Sequence, residues 1–133
     1  MNISAELIKL PELFYDINGQ TLEISNELIE RRNTFYNKIK EKTSTINKES
    51  ILSELIQNPQ YVNLWLLYSS DQRGDTWFFI ESKNLIGKNV DRAKGEYIVG
   101  RFDHILGYQN LNYFNDNLEA CSFFIEKKLL SFI

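Results

Sequence analysis

The sequence predicts one α+β domain spanning residues 1–133, with N-terminal helices, a three-stranded antiparallel β-meander and a C-terminal helix packed on the sheet. The length of 133 residues is that of one ordinary domain. Hydrophobic residues make up 43% of the chain and charged residues 25%, which is typical of a globular protein. The spacing of apolar residues changes from helical to strand-like near residue 61 and returns to helical near residue 116.

The first predicted elements are a short helix and a turn. Ser4 is a suitable N-cap for a helix that Pro11 interrupts, because proline cannot continue the hydrogen-bond ladder. The dipeptide of Asn18 and Gly19 is the strongest turn signal of the chain, since both residues tolerate positive φ. This turn either joins two short strands or links two helices, and we favour the link.

Two longer helices are predicted next. The first runs from residue 26 to about residue 44, with Ser25 or Asn26 as its N-cap and an apolar stripe at helical spacing. The second runs from residue 47 or 48 to residue 57, because the Asn-Pro pair that follows it ends a helix.

Aromatic and β-branched residues then predict strands at 61–70 and 76–82, joined by a hairpin loop at 71–74. A third strand is predicted at 96–103. Neither face of the predicted hairpin is clearly polar, although a sheet packed on one side alternates apolar and polar residues. Either helices cover both faces, or another protein completes one of them.

The C-terminal helix is predicted from residue 115 or 116 to about residue 131, with Asp116 and Glu119 as a capping box. Cys121 lies on the apolar face of this helix. We therefore predict that Cys121 is a small buried core residue and not a nucleophile.

The sequence contains no motif that specifies a reaction. One cysteine and one histidine are too few for a zinc site built on such ligands. A pair of Cys121 and His104 would need an open cleft, which the apolar position of the cysteine does not favour. We therefore predict no catalytic residue, no metal site and no cofactor, and we interpret the protein as a non-enzyme.

The chain shows no sign of export or membrane insertion. Its start lacks the basic and apolar stretches of a secretory signal, and its longest apolar runs are far shorter than the ~18 to 20 residues that span a bilayer. These features predict a cytoplasmic protein with no membrane partner. The formal net charge of −3 disfavours nucleic acid as the main partner and favours a basic protein.

About the last 70 residues resemble a known group of proteins. The likeness lies in the segments 64–68 (LWLLY), 76–80 (TWFFI), 97–102 (YIVGRF) and 118–125 (LEACSFFI). In this layout the chain resembles the small cytoplasmic immunity proteins of bacterial polymorphic toxin and contact-dependent growth inhibition systems. The resemblance implies a protein that binds a cognate toxin domain, often a nuclease, and blocks its active site or an adjacent surface.

The resemblance further implies occlusion by carboxylates, which take the place of the phosphates that a basic nuclease cleft expects, and by aromatic anchors that exclude water. Five residues are candidates for this partner-binding role. They are Asp71 and Asp75 in the predicted hairpin loop, Asp103 beside His104, and the tyrosines Tyr108 and Tyr113.

The competing interpretation is a small-ligand-binding or regulatory domain without catalytic activity. Its pocket would lie between the sheet and the C-terminal helix, lined by Trp65, Trp77 and Phe124. The sequence leaves open the identity of the toxin, the face that binds it and the oligomeric state.

Overall fold

A computed structural model of the chain describes residues 3–71, 76–87 and 90–131. Within these ranges five α-helices accompany one three-stranded antiparallel sheet, and the last helix packs on the sheet, so the predicted α+β fold class is confirmed. The helices are α1 (Ser4–Leu7), α2 (Asn26–Glu41), α3 (Lys48–Gln57), α4 (Tyr61–Asp71) and α5 (Asn117–Leu130). The strands are β1 (Thr76–Glu81), β2 (Tyr97–Asp103) and β3 (Gly107–Phe114). None of the helices in the described ranges combines the length and apolar composition needed to cross a membrane.

The first helix starts one residue earlier than predicted. The carbonyl oxygen of Ile3 accepts the first helical hydrogen bond, from the amide of Leu7 at 3.1 Å, which makes Ile3 the N-cap residue. Ser4 therefore lies inside the first turn, where it is buried, and its predicted capping role is wrong.

A tight turn links the N-terminal segment to α2, as we favoured. Gly19 adopts a φ of +78°, a left-handed conformation that glycine reaches at little cost. The Oδ1 atom of Asp16 accepts hydrogen bonds from the amides of Asn18 and Gln20, at 2.8 and 3.0 Å. One isolated β-bridge spans the turn, in place of the two strands of the alternative prediction.

Side-chain caps start the longer helices at the predicted residues. Ser25 Oγ accepts from the amide of Leu28 at 3.1 Å at the start of α2. Asn47 Oδ1 accepts from an amide at 2.8 Å at the start of α3. Asp116 caps α5 in the same way. Each cap satisfies an amide that has no partner within its own helix.

Residues 61–70, predicted as a strand, form the helix α4, so this prediction is wrong. The buried residues of α4 are Val62, Trp65, Tyr68 and Ser69, a spacing of three and four that matches one face of a helix. The indole Nε1 of Trp65 donates to the carbonyl oxygen of Ile8 at 2.9 Å, which fixes this face against α1. The predicted loop at 71–74 falls largely outside the described residues.

The meander instead uses a strand that the sequence did not reveal. β1 pairs with β2 and β2 with β3, both antiparallel, so β2 is central. The predicted strands at 76–82 and 96–103 are confirmed as β1 and β2. β3 was missed because its Gly, Asn and Gln residues have low strand propensity.

A β-bulge interrupts β3. Val99 pairs with Asn112 and Arg101 with Gln109, so two residues of β3 lie opposite one residue of β2. The first of the two, Asn110, has a φ of +54°, a left-handed conformation that asparagine tolerates better than most residues.

The two faces of the sheet have different neighbours. The inner face packs on α5, where Phe79 lies 5.8 Å from Phe124 between ring centroids, and Phe124 lies 5.9 Å from Trp65. Cys121 is fully buried on the same side of α5, which confirms its predicted core position. We call the opposite side of the sheet the outer face.

Candidate functional site

The outer face of the sheet is mostly apolar. The register shows which side chains lie on this face, because alternate residues of a strand point to the same side of the sheet. They are Phe78, Ile80, Ile98, Phe102, Tyr108, Leu111 and Tyr113. The residues that the structure describes cover only part of this face.

The segment between β1 and β2 covers one half of the outer face. Leu85 of this segment is buried, and Ile98 of β2, which points to the outer face, is fully buried. Tyr113 Oη accepts a hydrogen bond from the amide of Asp91 at 3.0 Å. The guanidinium of Arg92 donates to the carbonyl oxygen of Leu85 at 3.0 and 3.1 Å. The Tyr113 bond joins the segment to β3, and the Arg92 bonds connect two parts of the segment to each other.

The other half of the outer face forms an apolar groove of about 610 Å³ between α4, β1 and the start of that segment. Its apolar lining comprises Leu66, Phe78, Phe79, Ile80, Leu85, Phe102 and Tyr108. Its polar lining comprises Ser69, Ser70, Thr76, Glu81 and Asn84. A concave apolar surface with a few polar groups is typical of a binding site.

An aromatic cluster forms one wall of the groove. The ring of Tyr108 lies 5.6 Å from that of Phe78 and 5.3 Å from that of Phe102, between centroids. All three side chains are half-buried, so each keeps some surface for a partner. Aromatic rings at such distances support one another and present a rigid surface.

Exposed aliphatic side chains surround the cluster. Ile105 and Leu106 are 79% and 67% exposed at the turn between β2 and β3, next to Phe102 and Tyr108. Ile86, 83% exposed, precedes Gly87, where an added Cβ would meet the Tyr108 ring at 3.0 Å. The apolar surface therefore extends beyond the groove.

Four of the five predicted partner-binding residues lie within the described ranges, whereas Asp75 lies outside them. Tyr108 belongs to the aromatic cluster, and Tyr113 holds the covering segment. Asp103 Oδ1 accepts from two amides of the β2–β3 turn at 2.8 and 2.9 Å, so it also shapes that turn. Asp71 ends α4, where it accepts a short hydrogen bond from the hydroxyl of Tyr15.

Part of this set shares one end of the sheet. Asp103 follows Phe102, whose register partner is Thr76 at the start of β1. Asp103 and the Tyr108 cluster are therefore neighbours, whereas Tyr113 lies toward the far end of β3. Sequence reasoning did not identify Phe78 and Phe102 as members of the candidate site. The segment 103–107 begins with Asp and ends with Gly, and it lies between two segments with aromatic residues. This pattern is typical of a hairpin turn and would have predicted the pairing of the two segments.

Of the three residues predicted to line a pocket between the sheet and the C-terminal helix, two are core residues, and Trp77 lines a concavity beside the last turn of α5. Trp65 and Phe124 are fully buried and contact each other. Trp77 packs edge-on against Phe123 of α5 at 6.3 Å. The groove lies on the other side of the sheet.

The two residues weighed as a nucleophilic pair occupy different environments. Cys121 is fully buried, and burial raises the pKa of its thiol well above the usual value. His104 is exposed at the β2–β3 turn. Within the described ranges no three His, Cys, Asp or Glu side chains are grouped to hold a metal ion.

The candidate site is thus a groove with an aromatic wall and a rim of exposed aliphatic side chains. Comparison of the chain with protein-family models, with curated proteins and with solved structures finds no match. A function for the protein therefore has to be inferred from the groove, its rim and the charge around them.

Proposed function

We propose that the protein is a non-catalytic immunity protein that binds a bacterial toxin domain through its outer face and blocks the active site of the toxin or an adjacent surface. The observation that carries this proposal is the half-buried aromatic cluster of Phe78, Phe102 and Tyr108 beside exposed aliphatic residues. Aromatic side chains surrounded by apolar contacts dominate the binding energy of protein interfaces.

Exposure of the rim favours a protein partner. Ile86, Ile105 and Leu106 together expose far more apolar surface than an isolated surface residue does. Contiguous exposed apolar surface on a soluble protein marks a site of association. A small ligand confined to the groove would leave these three side chains in water.

Charge favours a basic partner. The chain has a formal net charge of −3. Asp103 lies next to the aromatic cluster, and Glu81 lines the groove. Carboxylates beside an apolar anchor attract a basic surface, such as that of a nuclease cleft, and raise its association rate.

The test replaces the exposed rim and leaves the fold unchanged. We expect the double variant Ile105→Ser/Leu106→Ser to bind the toxin at least tenfold more weakly, which corresponds to ~1.4 kcal/mol. The matched control is Ile17→Ser/Ile24→Ser, two isoleucines that are 94% and 74% exposed on the N-terminal segment. Affinity for toxin domains encoded beside the gene, and protection of cells that express them, are measured for all three proteins. If the wild-type chain protects against none of them, the immunity function is wrong; equal affinity of the rim variant excludes the outer face.

A second candidate, a small-ligand-binding domain, is supported by the size of the groove. Its volume of about 610 Å³ falls within the ~300 to 1,000 Å³ typical of ligand sites. Leu66→Trp would fill the groove, because Leu66 lines it and is half-buried. If the groove takes an apolar ligand, laurate should raise the melting temperature of the wild type and of the rim variant but not that of Leu66→Trp. If the protein instead binds a protein partner, the rim variant should lose affinity for that partner.

A further inference from the structure

A second concavity, of about 640 Å³, lies between the start of β1, the middle of β2 and the last turn of α5. Its lining comprises Thr76, Trp77, Arg101, Lys127, Lys128, Leu130 and Ser131. Among these residues three are cationic and none is acidic. We call this concavity the basic pocket. Thr76 borders both it and the groove, and among the described residues no other lines both.

The fold gathers the three cations around the first two residues of β1. Arg101 is the register partner of Trp77, so their side chains leave the same face of the sheet as direct neighbours. The Nζ atom of Lys127 lies 5.9 Å from the centroid of the Trp77 ring. The Nζ atom of Lys128 donates to the hydroxyl of Thr76 at 2.7 Å. These positions concentrate positive charge that the sequence spreads over β2 and α5.

Burial makes one of these cations unusually sensitive to an added anion. Lys128 is only 4% exposed, and desolvation lowers the pKa of its ammonium group. Charges interact more strongly where water is excluded, so an anion beside Lys128 gains more than one beside a solvated lysine. Arg101, in contrast, is exposed and can approach a ligand from solvent.

The helix end accounts for only part of the arrangement. Lys127 and Lys128 lie in the last turn of α5, where cations are stabilised by the partial negative charge of the helix terminus. The partial charge of a helix terminus is roughly half an elementary charge, which is less than the combined charge of three cationic side chains. Arg101 belongs to β2, so the end of α5 does not account for its position.

We propose that the basic pocket binds a small phosphate-bearing ligand, either free phosphate or the phosphate group of a small metabolite. The planar guanidinium of Arg101 suits bidentate binding of two phosphate oxygens, and the lysines supply point charges for the others. A single small concavity on a net acidic chain lacks the extended basic track that a nucleic acid needs. This site is independent of the proposed toxin binding.

The test is titration of the full chain with inorganic phosphate at constant ionic strength, followed by calorimetry and by amide and indole chemical shifts. We expect saturable binding, with shifts centred on Trp77, Arg101 and Lys127. The variant Arg101→Gln/Lys127→Gln should bind at least tenfold more weakly. The matched control, Lys40→Gln/Lys42→Gln, removes two exposed lysines near the end of α2 and should bind as the wild type does.

A parallel titration with a nucleoside diphosphate distinguishes the two sources of the phosphate. Tighter binding than inorganic phosphate at the same residues identifies a metabolite phosphate, and equal or weaker binding identifies free phosphate. The proposal is overturned if phosphate causes no change beyond that of chloride, or if the pocket variant binds as tightly as the control. Melting temperatures without phosphate establish that both variants are folded.

Discussion

Ser69 connects α4 to the sheet through one buried hydrogen bond. Its hydroxyl oxygen accepts from the amide of Phe79 at 2.7 Å, and both residues are buried. β1 is an edge strand, so this amide points away from β2 and has a serine of α4 as its partner. A polar residue in the apolar stripe of α4 thus completes the hydrogen bonding of the strand.

We predict that Ser69→Ala lowers the free energy of unfolding by ~1 to 3 kcal/mol, because it leaves a buried amide without an acceptor. The neighbouring Ser70→Ala is the control. Ser70 is exposed and donates to the carbonyl oxygen of Leu67 within its own helix, so its loss should cost less than ~0.5 kcal/mol. Urea denaturation of both variants measures the difference. Equal stability of the two variants would show that the Ser69 bond contributes nothing.

Residues whose role depends on near neighbours were predictable. Ser25 and Asn47 cap helices because each bonds an amide three residues ahead, and Cys121 is buried because its helix repeats apolar residues on one face. The roles of Phe78 and Phe102 were not predictable. They depend on contacts with Tyr108, which form only when β1 pairs with β2 and β2 pairs with β3.

Among the elements, α2 and α5 differ in how firmly they are anchored. Of the 16 residues of α2 only Leu28 and Ile39 are buried, whereas seven of the 14 residues of α5 are. Arg32 adds one link, since its Nε donates to the carbonyl oxygen of Leu13 at 2.9 Å and its guanidinium lies 4.1 Å from the Phe14 ring centroid. α5 in addition contacts both the sheet and α3.

We predict that amide protons in the middle of α2 exchange with solvent at least tenfold faster than those in α5, because local opening of α2 exposes less apolar surface. Ser25→Ala should accelerate exchange in α2 further and leave α5 unchanged, since it removes the N-cap. Ser44→Ala, an exposed serine just beyond α2, is the control. Hydrogen exchange followed by mass spectrometry measures all three proteins. Equal protection of the two helices would contradict the prediction.

The element that sequence reasoning misassigned is α4. Its central residues are apolar without interruption, so their spacing supports neither a helix nor a strand, and the aromatic content favoured a strand. Tertiary contacts select the helix. Trp65 donates to Ile8 and contacts Phe124, and both contacts join parts of the chain that are far apart in sequence.

For the whole molecule, tyrosines that are buried or half-buried contribute most of the groups that respond to high pH. Burial is the main cause that raises the pKa of the five tyrosines Tyr15, Tyr36, Tyr61, Tyr68 and Tyr97. For Tyr61 burial acts together with a hydrogen bond to Glu12, and its pKa rises from 10.0 to about 12. A raised pKa means that the folded protein favours the neutral phenol. The stability from these groups is complete below pH 10 and is lost as the pH rises further.

We predict that the free energy of unfolding decreases between pH 10 and pH 12. Cys121 acts in the same direction. Lys128 opposes the decrease only up to about pH 10.5, its ordinary pKa, because above that pH neither the folded nor the unfolded chain holds the proton. Tyr61→Phe should make the decrease shallower over the interval from 10.0 to about 12. Urea unfolding from pH 8 to 12, with tyrosinate absorbance as a second signal, measures this. A wild-type stability that is constant or rising above pH 10 would contradict the prediction.

The bulge in β3 determines which later residues of the strand face outward. Tyr108 and Tyr113 are an odd number of positions apart, yet both reach the outer face, because Asn110 and the residue after it together oppose Gly100. Without the bulge, the same residues paired from Tyr108 onward would place Tyr113 opposite Tyr97, turn it toward the core and take Phe114 away from α5. The bulge thus accommodates one extra residue in β3, and a chain that lost either of the two residues opposite Gly100 would form a regular strand with Tyr113 still opposite Ile98.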